Sequence, residues 1–131
     1  MKNKWSSSWI SSKKPKKQRK YRAKAPLHIK QKFLGCHLSK ELRQKYSRRS
    51  VPMRKGDKVK VLRGSFAGQS GKVDRVNLRK SKVYLTGIEL TKKDGSKVVP
   101  PIDPSNLMIT ELDLSDKRRE MMVKKEPKKV K

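Results

Sequence analysis

Apolar residues are unevenly spread along the chain: β-branched and aliphatic side chains, spaced by turn glycines, concentrate between Val51 and Ile109. Within Asp57-Lys58-Val59-Lys60-Val61-Leu62-Arg63, Val59 and Val61 face one way and Lys58 and Lys60 the other, the two-residue period of a half-buried strand. Gly64 ends it. From Gly64 through Gly68 to Gly71 a tight, exposed loop is expected, because glycine takes positive φ or lets backbone approach closely. A second strand, Lys72 to Leu78, has Val73 and Val76 three apart, which strict alternation cannot bury together, so a bulge or strong bend is predicted.

After Arg79, Lys80 and Ser81, a third strand over Lys82–Thr86 puts Val83 and Leu85 on one face. Gly87 marks a further bend, where the apolar phase shifts to Ile88 and Leu90. Asp94-Gly95 is a turn signal. It is followed by a short strand, Lys97-Val98-Val99, which Pro100 and Pro101 stop, and by a last strand, Leu107-Met108-Ile109-Thr110.

These elements predict a mainly β fold, a small closed or nearly closed barrel of about five antiparallel strands. So small a barrel buries only about 60% of its unfolded surface, and a bound partner should add to its stability. Outside it, Ser39 can cap a helix over residues 40–46, with Glu41 in its first turn and Lys45 near its end. Ser115 can cap a C-terminal helix from Asp116 to about Lys124. The chain thus divides into a basic tail (1–22), a leader containing the short helix (23–50), the barrel (51–112), and a C-terminal helix with its own basic tail (113–131). Residues 13–20, Lys-Lys-Pro-Lys-Lys-Gln-Arg-Lys, cannot build a core, and the first 22 residues are expected to lack structure without a partner.

Charge decides what the partner is. Of 131 residues, 38 are Lys or Arg and 11 Asp or Glu, a formal net charge of +27. The first 50 residues alone carry 17 basic groups against one acid, Glu41. Such self-repulsion opposes compaction unless a polyanion neutralises it, and nucleic acid is the default polyanion. No stretch approaches the roughly 20 apolar residues of a membrane span, and the N-terminus lacks a signal peptide's apolar run, so no membrane partner and an intracellular location are expected. Cys36 is the only cysteine, which excludes an intrachain disulfide.

Cys36 and His37 lack the further thiolate or imidazole partners that a closed zinc site needs, since His28 is the only other histidine. No metal, cofactor or small-molecule substrate is expected. Asp57, Asp74, Glu89, Asp94 and Asp103 are scattered among turns and strands without a catalytic pairing, and Asp57 reads as a turn residue where the first strand starts; the chain is not an enzyme on this reading.

The candidate nucleic-acid contacts are the cations with no core to serve: Arg19, Lys20, Arg22 and Lys24, then His28, Lys30 and Lys32. Lys45, Arg48 and Arg49 follow beside the short helix, and Arg54 and Lys55 before the first strand. Arginine can fork onto a phosphate or stack on a base, so Arg48, Arg49, Arg54, Arg63, Arg75 and Arg79 rank above the lysines, with Lys80 beside Arg79. In the glycine loop, Gly64, Gly68 and Gly71 with Lys72 either offer N–H groups and close approach to RNA or are simply required by the turn. Phe66 either stacks on an unpaired base or packs on the barrel. Lys58 and Lys60 are equally well read as contacts or as a solvated face. Burial of Trp5 and Trp9 within the chain is not expected; RNA, a neighbouring protein, or disorder would account for them.

Arg54-Lys55-Gly56-Asp57-Lys58-Val59-Lys60-Val61-Leu62-Arg63-Gly64, continuing to Gly68, Gly71, Lys72 and Val73, resembles a KOW motif, which occurs in the SH3-like barrels of ribosomal proteins and transcription elongation factors. The flanks Ala25-Pro26-Leu27-His28-Ile29, Leu38–Tyr46, Arg49–Lys55 and Ile102-Asp103-Pro104-Ser105-Asn106 through Thr110 are similar to the archaeal and eukaryotic form of the universal large-subunit ribosomal protein twenty-four family. The similarity covers roughly residues 20–115. It implies an SH3-like barrel, direct binding to the 5′ domain of 23S ribosomal RNA as an assembly initiator, and a cytoplasmic, ribosome-bound place beside the polypeptide exit tunnel among neighbouring large-subunit proteins. An elongation-factor module or a general nucleic-acid-binding protein is the alternative; the former normally carries a polymerase-binding domain, for which the chain leaves no room.

Overall fold

The computed structural model describes residues 5, 6 and 12–124. Two helices open the described chain, α1 (Pro15–Lys24) and α2 (Leu27–Phe33). β1 (Gly35–Leu38) follows, then α3 (Lys40–Tyr46), β2 (Ser50–Pro52), β3 (Lys58–Val61), β4 (Ser70–Asn77) and β5 (Lys82–Leu85). A small ribbon of β6 (Leu90–Thr91) and β7 (Lys97–Val98) leads through a 3-10 turn, Pro104–Asn106, to β8 (Leu107–Glu111) and α4 (Lys117–Lys124).

The alternation in β3 is as expected: Val59 and Val61 are buried, Lys58 and Lys60 exposed. Val83 and Leu85 on β5 and Leu107 and Ile109 on β8 point into the same core. A one-residue slip would turn each set to solvent, so burial fixes the register. β4 carries the predicted irregularity: its pairing with β5 shifts register between Val73 and Arg75, which leaves Val73 fully buried and Val76 packed at the core's margin. The bulge lets both valines, three apart, serve one core.

The fold class is the expected one, with four differences. First, the main sheet has six strands in the order β2-β1-β8-β3-β4-β5 and stays open instead of closing into a barrel. One strand comes from the leader and a second, β2, straddles its end: Cys36 and Leu38 on β1 are fully buried, and β1 lies antiparallel to β2 and parallel to β8. One isolated apolar pair inside a short polar stretch is too little period to announce a strand.

Second, Lys97–Val98 pairs only with Leu90–Thr91, outside the main sheet, so Leu90 does not share the buried phase of Ile88. Pro100 and Pro101, which cannot donate to a ladder, separate this ribbon from Ile102, whose bridge to Val83 marks the chain's return to the sheet. Third, residues 15–24 are helical where no structure was expected. Pro15 sits in the first turn and Lys, Arg, Gln and Ala are good helix formers; no residue of α1 is buried, so propensity and the surface contacts of Tyr21 and Arg22 support it instead of a core face. Trp5 is held within the chain after all: its Nε1 donates to the Tyr21 carbonyl at 3.2 Å and the two rings lie 5.0 Å apart. Trp9 lies outside the described residues.

Fourth, α4 starts at Lys117, and the carboxylate of Asp116, not Ser115, accepts from the first-turn Arg118 N–H at 2.9 Å. By contrast, α3 has the expected bounds and cap, Ser39 accepting from Leu42 N–H.

α4 is tied to the sheet by a buried ion pair. Arg119 forks onto Asp57 with two 2.6 Å hydrogen bonds, both side chains essentially inaccessible. Asp57 also accepts from the N–H groups of Arg54 and Asp113, while Arg119 donates to the carbonyls of Asp113 and Pro52. Asp57 is therefore a turn residue, as its position suggests, and also the anchor of the C-terminal segment. Leaving either charge alone in the core costs about 3–5 kcal/mol, more than any one surface pair supplies.

Candidate nucleic-acid interface

The cations sort into three groups by what surrounds them. On the first, α1 and α2 present Arg19, Lys20, Lys24, His28 and Lys32 on exposed positions. Arg22, also exposed, lies over the Phe33 ring at 5.2 Å, so α1 leans its arginine on α2. Lys30 is different: it is buried, and its ammonium donates to the Arg79 carbonyl at 3.3 Å. It fixes α2 against the turn between β4 and β5 and presents no free charge outward.

That turn brings Arg79 and Lys80 beside Arg22, the three lining one hollow, and beside Arg75 along a second. The Arg75 guanidinium rests 4.3 Å from the Tyr84 ring centre, a cation–π contact that holds it in place while leaving it exposed. Residues far apart in sequence thus form one continuous basic face along α1, α2 and the β4–β5 turn.

A second group converges on His37. Burial is the main cause that pushes its imidazole below the ordinary histidine value, helped by Arg43, Arg49 and Arg63. Residue type alone points to Arg49 and Arg63 but not to Arg43 or His37; their meeting depends on β1 joining the sheet, which their spacing does not reveal. Arg43 is aimed by a 2.9 Å hydrogen bond from its Nε to the Leu38 carbonyl. Lys45 lies 5.4 Å from the Tyr46 ring at the end of α3, and Arg48 follows in the adjoining turn.

The glycine loop beside Arg63 is built from internal bonds. Ala67, Gly68 and Gln69 donate their N–H groups to Gly64, Val61 and Phe66 carbonyls, so these three are already committed. Gly64 and Gly68 have φ of +100° and +88°, which the turn itself requires. Gly71 is needed for a different reason: it lies on β4, where a Cβ would come within 2.6 Å of the Thr86 carbonyl. Phe66 packs against the core margin. What the loop offers a partner is its shape and the adjoining Arg63 side chain.

The third group faces acids. Arg54 is paired with Asp116, Lys55 lies 3.8 Å from Asp74, and Lys58 lies 2.7 Å from Glu111. Lys72 is exposed on β4 near Asp113, whose carboxyl is held below its ordinary value chiefly by hydrogen bonds from Ser115. Asp116 is likewise held down, first by Arg54 and then by the Arg118 N–H. These cations are partly neutralised by the segment entering α4.

Among the described residues no group of His, Cys, Asp or Glu could hold a metal ion, and no helix is long and apolar enough to cross a membrane. Cys36 is buried, donates to the Leu107 carbonyl at 2.9 Å, and has its thiol pushed up to about 12 by burial. It is part of the core.

The family described as the eukaryotic ribosomal proteins L26 together with their archaeal L24 counterparts matches residues 12–126. Among individual relatives, the large ribosomal subunit protein uL24 of Methanosarcina barkeri is 49% identical over 114 residues, which cover 87% of this chain and 98% of the relative. The proteins of the same name from Methanospirillum hungatei and Methanoculleus marisnigri are each 51% identical over 111 residues, covering 85% of this chain and 92% of each relative. The match therefore reaches beyond residues 20–115, into α1 at one end and α4 at the other.

Proposed function

The chain belongs to the family that joins the eukaryotic L26 and archaeal L24 ribosomal proteins, structural and non-enzymatic constituents of the large ribosomal subunit, and from that premise we propose that it binds directly to the 5′ domain of 23S ribosomal RNA. In this reading it acts as an assembly initiator, resides on cytoplasmic ribosomes, and lies beside the polypeptide exit tunnel against neighbouring large-subunit proteins. The family match across residues 12–126 carries the ribosomal assignment.

Direct RNA binding is supported by the continuous basic face of Arg22, Arg75, Arg79 and Lys80 and by the arginines around His37. Each cation that meets a phosphate releases a counterion, and about 10 contacts to irregular RNA would give a salt slope near −7. The initiator role requires binding to naked RNA before other proteins assemble.

Mixing the full chain with a protein-free transcript of that RNA domain tests this directly. Saturable binding at low salt, and co-sedimentation with large subunits that ends only at high salt, are expected. Binding only to subunits already carrying other proteins would remove the initiator role, and co-sedimentation with RNA polymerase instead would overturn the whole proposal.

A further inference from the structure

Between α2 and the bulged strand β4 lie two adjoining hollows of about 710 and 540 Å³ that share Arg75, Val76 and Leu78. This is the size range of small-ligand sites. The first is floored by Leu34 and Met53, and the second is bounded by Leu27 and Tyr84. Leu27 is 52% and Leu78 36% exposed, so apolar surface stands uncovered in the middle of the basic face. Arg79 and Lys80 rim one end; in the other hollow Arg54 and Lys55 stand with Asp74, the carboxylate that Lys55 faces.

We propose that this groove receives one unpaired RNA base, stacked on the Arg75 guanidinium, with the adjoining phosphate held by Arg79 and Lys80 at one end. The proposal rests on the RNA-binding reading above and deepens it by naming the RNA element: a nucleotide out of the stack, in a loop or bulge. Three observations select that occupant. An apolar floor suits the face of a base, whereas a phosphate alone would gain nothing from Leu34, Met53 or Leu78. Arg79 and Lys80 at one end suit the phosphate next to that base. The Arg75 guanidinium already lies over the Tyr84 ring, so a group on which bases stack is held in place before RNA arrives. A duplex keeps its base faces stacked and could not use the floor.

Arg75→Lys separates stacking from charge, because lysine keeps the cation and loses the plane. Binding of the full chain to the protein-free 5′-domain transcript should weaken about 5- to 100-fold, the range for losing one stacked base, while the salt slope stays unchanged. Tyr84→Leu should weaken binding in the same way by releasing Arg75. Tyr84→Phe, which keeps the ring, should bind like the parent chain. Thermal unfolding of each variant shows that it is folded at the assay temperature. Parent-like affinity for Arg75→Lys would overturn the proposal, as would a loss accompanied by a shallower slope, which marks a phosphate contact instead. If Arg75→Lys binds RNA normally but is retained less by the assembled subunit, the groove takes a protein side chain and the proposal fails. If the parent chain itself does not bind the transcript, the RNA-binding reading falls first and this one with it.

Discussion

The end of the sheet where α4 docks and the face formed by α1, α2 and the β4–β5 turn are both rich in arginine, and they use it in opposite ways. At the docking end Arg119 is 2% exposed and forked onto Asp57, Arg54 is paired with Asp116, and the nearby lysines meet Asp74 and Glu111. In the other region Arg22 and Arg75 lie on the rings of Phe33 and Tyr84. A ring orients a guanidinium without cancelling its charge, whereas a carboxylate does both. One region spends its cations on holding the chain together; the other keeps them available to a polyanion.

The sharpest way to break this comparison is at Arg119. Arg119→Met should destabilise the fold by about 3–5 kcal/mol, because Asp57 keeps a buried charge with its ionic partner gone. Urea unfolding measures this, and RNA affinity per folded molecule should not change. A loss under about 1 kcal/mol, the size of a surface pair, would mean that the pair does not anchor α4. Asp57→Asn should be as damaging, since its oxygens serve the Arg54 and Asp113 N–H groups as well.

Truncation gives the next largest effect. A fragment of residues 51–112 removes β1, the strand between β2 and β8, and removes Arg119. It should lack cooperative unfolding, whereas residues 27–124 should retain it; sharp melting of the short fragment would show that the leader strand is dispensable.

His37 predicts a smaller effect with two signs. Its folded value is depressed, so the stability it contributes is present above the ordinary histidine range and is lost as pH falls through the folded value. A phosphate beside Arg43, Arg49 and Arg63 would favour the protonated ring, so RNA affinity should rise by about two- to threefold between about pH 7.5 and 5.5. His37→Gln should flatten that rise. Asp113 and Asp116, both held below 3.8, stay ionised throughout this window.

The smallest effect is at Cys36. Thiol reagents attack the thiolate, and a thiol pushed up to about 12 should stay unlabelled at neutral pH until the chain unfolds.

Alternation exposed β3, β5 and β8 in the sequence because each has one buried face, and the three-residue spacing of Val73 and Val76 announced the bulge. The chemistry of the exposed face was visible as residue type but not as arrangement. Arg75, Arg79 and Lys80 share one hairpin, but Arg22 joins them only through the packing of the N-terminal helices, in which Lys30 turns inward to the Arg79 carbonyl. Nothing local distinguishes Lys30 from its exposed neighbour Lys32. Arg119 was hidden for the same reason: within Lys-Arg-Arg-Glu it looks like one more tail cation, and only the docking of α4, with Val123 in the core, reveals its role. β1 escaped because Cys36 and Leu38 alone show too little alternation, and one of its two partners, β8, lies far along the chain.

The central claim is that the two regions use arginine and lysine differently, and the salt dependence of RNA binding tests it most directly. The slope of log K against log salt should be near −7 for the parent chain and shallower by about 1.4 for Arg79→Ala/Lys80→Ala, two phosphate contacts at roughly 0.7 each. Lys55→Ala/Lys58→Ala, whose cations face Asp74 and Glu111, should leave the slope unchanged. Equal loss of slope in both double variants would contradict the account.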